Sequence, residues 1–376
     1  MNILNISKLK LNDSHSYYGG AIGNIAYNQL ASLARQPNLT VHTTAEGTEF
    51  ESNVPEALDV TVVDDYDGVA AHFEDKREDT DVVTHFYFHE PESNPVSKAV
   101  ADSECPFVIG MCEVPHPRFA DEVSGIERLP LVRRVGKRLI MPRFKRTFRR
   151  ADRLVVVDEH AKEFYGEYYP TDRIDVIPYG VDIERFQPSP IPDEPRILMV
   201  NRLIKRRGVD HMIKALPTIK RAVPDVSLHV VGDGPQRDDL TALTSDLDVG
   251  DAVTFHGNLP SEALVEQYAA ATVFAHLSFA DGWNQPALEA MASARPVVCT
   301  SKPHNSMVVD GKTGYKVPWE DPVAVADALT DLLADIDRAA AFGKTGRERV
   351  EANYTWSDIA ERYRSLLADV AAPGDR

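Results

Sequence analysis

Residues 196–257 read RILMVNRLIKRRGVDHMIKALPTIKRAVPDVSLHVVGDGPQRDDLTALTSDLDVGDAVTFHG. Short apolar runs at 196–201, 226–232 and 252–256 alternate with longer amphipathic stretches at 208–223 and 236–247. The two periodicities predict strands separated by helices. The alternation continues through helix-like 261–270, strand-like 272–277, helix-like 286–293 and strand-like 296–300. Such a βαβα succession predicts a parallel, doubly wound sheet with helices on both faces.

Upstream, Gln187-Pro188-Ser189-Pro190-Ile191-Pro192-Asp193-Glu194-Pro195 places four prolines in nine residues, a composition suited to an extended connector. The first half repeats the theme less cleanly, with strand-like 2–6, 60–63, 81–87, 107–111 and 154–157 and a helix-like 21–34. A chain of 376 residues exceeds the usual size of one core. Two Rossmann-like domains are therefore expected, 1–188 and 189–353, followed by a terminal helical segment at 354–376.

The formal net charge of -17 arises from 34 Asp and 24 Glu against 27 Arg and 14 Lys, which disfavours nucleic acid as a partner. An Asp-rich, Lys-poor composition also fits a protein adapted to high salt, where close like charges are screened. Cys105, Cys112 and Cys299 form no paired spacing, so neither a disulfide framework nor a zinc site is expected. No apolar run approaches the roughly 20 residues of a membrane-spanning helix, and the opening Met1-Asn2-Ile3-Leu4 is strand-like, so the expectation is a cytoplasmic protein.

One segment departs from the acidic background: residues 126–150 hold ten Lys or Arg in 25, interleaved with apolar residues at roughly helical spacing. Two readings stay open. The segment lies on an anionic membrane surface at the inner face of the cell membrane, or it is a surface helix paired with the acidic remainder, interrupted by Pro130 and Pro142.

The densest chemical signal is Asp281-Gly282-Trp283-Asn284-Gln285-Pro286-Ala287-Leu288-Glu289, which follows an apolar strand and opens a helix. Proline suits a helix start, and the loop before it delivers free N–H groups to the strand ends where open α/β folds bind ligands. An anion such as a diphosphate belongs there. A second strand-to-helix connection, Asn201-Arg202-Leu203-Ile204-Lys205-Arg206-Arg207-Gly208, brings four cations to the same edge. Arginine pairs bidentately with phosphate, which marks Arg202 and Arg207. Taken alone, Asp281 and Glu289 could equally cap a turn and complement a helix dipole.

In this order and spacing, the chain resembles the retaining glycosyltransferases of family four, which have the GT-B fold. The resemblance is carried by Gly19-Gly20, Ile177-Pro178-Tyr179-Gly180-Val181-Asp182 with Phe186, Val231-Gly232-Asp233-Gly234-Pro235, Phe255-His256-Gly257, the turn from Asp281 to Glu289, and Val309-Asp310-Gly311-Lys312-Thr313-Gly314. It implies two Rossmann-like domains facing each other across a cleft, with the last helix crossing back to the first domain. Arg202 and Arg207 would hold the donor diphosphate, Arg207 standing where the family usually has lysine. Glu289 matches the acid that binds the ribose, Gly257 lies where the base passes, and Gly20 matches the glycine that approaches the phosphates from across the cleft. Gly282, Trp283, Asn284 and Gln285 complete the expected donor site.

Two departures stand out. Asp281 replaces the family's usual glutamate, which shortens the reach to the transferred sugar. Cys112 stands where a histidine near the sugar is common, with His116 as a candidate substitute in a proline-flanked loop. His85 and His89 lie at a strand end and could equally be core residues. The implied activity is transfer of a sugar from a nucleoside diphosphate sugar to an acceptor hydroxyl, with retention, a lipid-linked acceptor being one option. No cofactor or essential metal is implied, and domain closure is expected about the proline-rich linker. A sugar-nucleotide hydrolase or epimerase, and a donor-binding protein without turnover, are the alternatives.

Overall fold

A computed structural model describes residues 1–10, 21–46, 56–63, 66–86, 100, 103–112 and 150–372. Gly20, His89, His116 and residues 126–149 of the basic segment lie outside them, as do the side chains of Met111 and Cys112.

The first sheet is entirely parallel, in the order β3-β2-β1-β4-β5-β6-β7. Its strands are β1 (Asn2–Lys10), β2 (Thr40–Glu46), β3 (Leu58–Val62), β4 (Val82–Phe86), β5 (Phe107–Cys112), β6 (Arg153–Val156) and β7 (Ile174–Val176). Helices α1 (Ala21–Ala34), α2 (Tyr66–Lys76) and α3 (Glu159–Gly166) belong to this half. The sequence reading omits β2, β7, α2 and α3. In β2 the run Thr-Val-His-Thr-Thr-Ala-Glu carries little apolar signal, and β7 is only three residues long.

The second sheet, also parallel, runs β10-β9-β8-β11-β12-β13. It comprises β8 (Arg196–Val200), β9 (Ser227–Val231), β10 (Val253–Gly257), β11 (Val273–His276), β12 (Val297–Thr300) and β13 (Gly314–Val317). Between them run α4 (Val209–Ala222), α5 (Arg237–Asp246), α6 (Ser261–Ala269), α7 (Gln285–Ala292) and, after β13, α8 (Pro322–Ala334) and α9 (Ile336–Asn353). Strands β11 and β12 are buried at every position, as parallel strands covered on both faces must be. The doubly wound arrangement expected for both halves is therefore present.

The last helix, α10 (Trp356–Ala371), leaves the second domain and packs on α1 of the first. Tyr363 meets Phe86 of β4 edge-on at 5.3 Å, and Arg362 donates to the Val176 carbonyl at 2.5 Å. Two strands of chain thus cross between the domains. They touch where the Val181 N–H donates to the Tyr354 carbonyl at 2.8 Å.

The proline-rich linker is fastened to the second domain. Arg295, fully buried, donates to the Ser189 carbonyl at 2.9 Å and the Pro190 carbonyl at 3.3 Å. Arg347 donates to the carbonyls of Phe186 at 2.8 Å, Ile183 at 3.3 Å and Ala292 at 2.7 Å. Buried backbone carbonyls need such partners, and a guanidinium supplies several donors in a fixed fork.

Candidate donor site

Strand order in the second sheet reverses between β8 and β11, which are hydrogen-bonded neighbours. The chain leaves β8 toward β9 on one side and β11 toward β12 on the other, and beyond two such strand ends open α/β sheets hold their ligands in a crevice. Residues 201–208 form one wall and residues 277–284 the other.

The first wall is held rigidly. The Leu203 N–H donates to the Asp233 carbonyl at 2.9 Å, and a Cβ on Gly234 would lie 2.5 Å from the Leu203 carbonyl, which explains the glycine of Val231-Gly232-Asp233-Gly234-Pro235. Lys205–Arg207 make one 3-10 turn ending at Gly208, whose φ of 69° lies in the left-handed region. A Cβ there would sit 2.3 Å from the Leu277 carbonyl, so glycine lets the two walls touch. Across that contact the Phe279 N–H donates to the Arg206 carbonyl at 2.8 Å, and Arg206 Nη1 returns a bond to the Ala280 carbonyl at 2.6 Å.

Arg202 is exposed at the crevice, whereas Arg207 is committed to an ion pair with Asp281. Asp281 Oδ1 also accepts the Gly282 N–H at 3.1 Å, so the carboxylate caps its own turn. His276, the fully buried last residue of β11, places Nε2 3.4 Å from Asp281 Oδ2. Burial first, then the Arg207 guanidinium, hold the His276 ring well below the ordinary histidine range, so it is neutral at pH 7.

Helix α7 starts as the Pro286 signal implies, with the Asn284 side chain accepting the Ala287 N–H at 3.1 Å. Asn284 is itself buried and locked by Asn305, to which its Nδ2 donates at 2.6 Å. Glu289 is buried, and the Tyr268 hydroxyl donates to its Oε2 at 2.9 Å. Gly257 closes β10 at φ 69° with no atom within 4 Å of where a Cβ would stand, leaving open space at that sheet edge.

The crevice thus gathers Arg202, Arg207, Asp281 and the turn around Gly282. The side chains of Trp283 and Gln285 point elsewhere. Trp283 packs between Tyr179 and Tyr354, each 6.2 Å away between ring centres, and Gln285 Nε2 donates to the Gly180 carbonyl at 3.0 Å. Their backbone remains on the turn. His85, in β4, is buried, and burial lowers its pKa to about 4, as expected of a core histidine. Sequence reasoning missed His276, Tyr268 and Asn305. Only His276 carried a signal, being a polar residue at the end of an otherwise apolar strand.

The family model for glycosyl transferases group 1 matches residues 181–349, and that for glycosyltransferase family 4 matches residues 69–185. The chain is 34% identical to the GDP-mannose-dependent alpha-(1-6)-phosphatidylinositol monomannoside mannosyltransferase of Mycolicibacterium smegmatis, over 64% of this chain and 72% of that protein. The chain belongs to the group 1 glycosyltransferases. This transferase is also 32% identical to a D-inositol 3-phosphate glycosyltransferase of Nocardia farcinica, covering 62% of this chain and 54% of that one. Its fold matches sucrose-phosphate synthase from Thermosynechococcus elongatus with a TM-score of 0.75 at 21% identity, over 98% of this chain and 99% of the other. The GT-B architecture of the transferase accordingly extends over nearly its whole length. Among the described residues no helix is long and apolar enough to cross a membrane.

Proposed function

We propose that the transferase moves a mannosyl group from GDP-mannose to a hydroxyl of an inositol-bearing, lipid-linked acceptor, with retention of anomeric configuration. The observation that carries the donor side is the meeting of Arg202, Arg207 and the turn at 281–284 at the strand-order reversal. The sugar and the acceptor class rest on what the mycobacterial relative's name states.

Departure of a diphosphate develops negative charge on its oxygens. Preorganised cations and N–H groups in a water-poor crevice stabilise that charge without reorganisation. Arg202, exposed just past the end of β8, supplies one cation. Arg207 supplies a second one once phosphate competes with Asp281, and the Asp281 carboxylate so released can turn to a hydroxyl of the sugar. Glu289, oriented by Tyr268, accepts the ribose hydroxyls. A donor phosphate oxygen takes the acceptor proton, so neither a metal nor a pair of hydrolytic carboxylates is required. The acceptor enters from the first domain at the inner face of the membrane, with residues 126–150 against anionic lipid.

A thermal-shift screen over GDP-, UDP- and ADP-sugars tests the donor assignment. At 100 times its dissociation constant the right donor adds about 2.7 kcal/mol. GDP-mannose should give the largest shift, and no shift with any of the three refutes the donor site. Arg202→Ala and Glu289→Ala should each lower transfer at least tenfold, equivalent to about 1.4 kcal/mol in barrier.

A further inference from the structure

We propose that Trp283 and Gln285 are positioning residues that tie the donor turn to the crossing between the two domains, so that closing the cleft and shaping the turn are one event. The inference rests on the donor-site reading above and adds a role for two side chains that face away from the crevice.

With residues 183–190 fastened to the second domain by Arg295 and Arg347, the proline-rich stretch moves with that domain. Rotation of one domain against the other falls instead on Tyr179 to Asp182 and on the returning chain at Tyr354 to Trp356. The two paths are pinned to each other by the Val181 to Tyr354 bond and by Gly180, where a Cβ would lie 2.6 Å from the Trp356 ring.

The donor turn grips these same residues. Trp283 is wedged between one aromatic from each path, and Gln285 holds the Gly180 carbonyl. Both side chains also carry a buried polar atom, Trp283 Nε1 and Gln285 Oε1, with no hydrogen-bond partner among the described residues. Such atoms disfavour the arrangement they sit in and favour one that supplies partners. A shift of the crossing therefore moves the backbone of the donor turn at 282–285 by way of two side chains that face away from the crevice.

The test uses Gln285→Met, which removes the bond to Gly180, and Gln285→Glu, which keeps the size but cannot donate. Trp283→Phe serves as an independent variant. Isothermal titration with GDP and UDP reads the phosphate site, release of GDP from GDP-mannose reads turnover, and small-angle scattering with and without GDP-mannose reads closure. Nucleotide affinity should stay within about twofold while turnover falls at least tenfold and the donor-induced compaction is lost in all three variants. A tenfold loss of nucleotide affinity with normal turnover overturns the proposal, making the side chains donor ligands. Unchanged turnover and compaction overturn it equally, making the contacts mere packing. If the wild type itself binds neither nucleotide, the donor-site reading fails first and the coupling falls with it, a result no variant can mimic.

Discussion

Replacing Asp281 with Asn should make the protein hold nucleoside diphosphate more tightly and transfer sugar more slowly. Asp281 and Arg207 face each other with side chains only 12% and 18% exposed, so the carboxylate neutralises a cation that the crevice would otherwise offer to phosphate. Asparagine keeps the oxygen that accepts the Gly282 N–H and discards the charge. A unit charge about 8 Å from a bound diphosphate, at an effective dielectric constant of about 20, is worth about 2 kcal/mol. That corresponds to about 30-fold in affinity at low salt, shrinking as ionic strength rises through about 0.1 M. Isothermal titration of GDP into Asp281→Asn and wild type, at two salt concentrations, measures it directly. Turnover should fall at least tenfold in the same variant, because the group that turns to the sugar is lost. Equal or weaker GDP binding by the variant would refute the reasoning, since it would mean that Arg207 never reaches the phosphate.

Gly208→Ala and Gly257→Ala share a φ of 69°, yet only the first drives a Cβ into backbone, 2.3 Å from the Leu277 carbonyl. Both should lose about 1 kcal/mol to the backbone conformation, Gly208→Ala several times that, and melting curves will rank them. Stability should also fall with acid. His85 has a folded pKa of about 4, so below the ordinary 6.5 the unfolded chain binds the proton that the folded one refuses, and stability present at pH 7 drains away between about pH 6.5 and 4. The cost for this residue approaches about 3 kcal/mol, and urea midpoints against pH, for wild type and His85→Gln, will show whether the slope flattens. For residues 126–150, co-sedimentation with anionic vesicles should be strong at low salt and lost at high salt, and binding absent at every salt concentration removes the membrane reading. Chelation with EDTA should leave transfer unchanged.

The second sheet was legible because β8, β11 and β12 are runs of residues buried on both faces, as in Ile197 to Val200 and Val273 to His276. Helix starts were legible for a similar local reason, Asn284 and Pro286 announcing α7 in the sequence itself. Strand β2 was not, since Thr and His occupy positions that the pattern needs apolar, and its place is fixed by pairing with β1 and β3. The candidate site divides along the same line. That Arg202, Arg207 and Asp281 share one edge follows from where strands end, but the pairing of Arg207 with Asp281 joins residues 74 positions apart and depends on how two loops meet. The direction of Trp283 and Gln285 is likewise a tertiary fact. The neighbouring Tyr179, Gly180 and Tyr354, none of them near in sequence, decide which partners these two side chains find.

The arginine clasp on the linker has a consequence for recombination. A donor half grafted onto a foreign acceptor half by cutting among the prolines would strip Arg295 of the Ser189 carbonyl or Arg347 of the Phe186 carbonyl. A fully buried guanidinium would then be left without the carbonyls it was placed to serve. The seam at which such chimaeras can be exchanged intact lies ahead of Ile183 on the outward path and after Asn353 on the return, with Trp356 and its helix travelling as part of the other half.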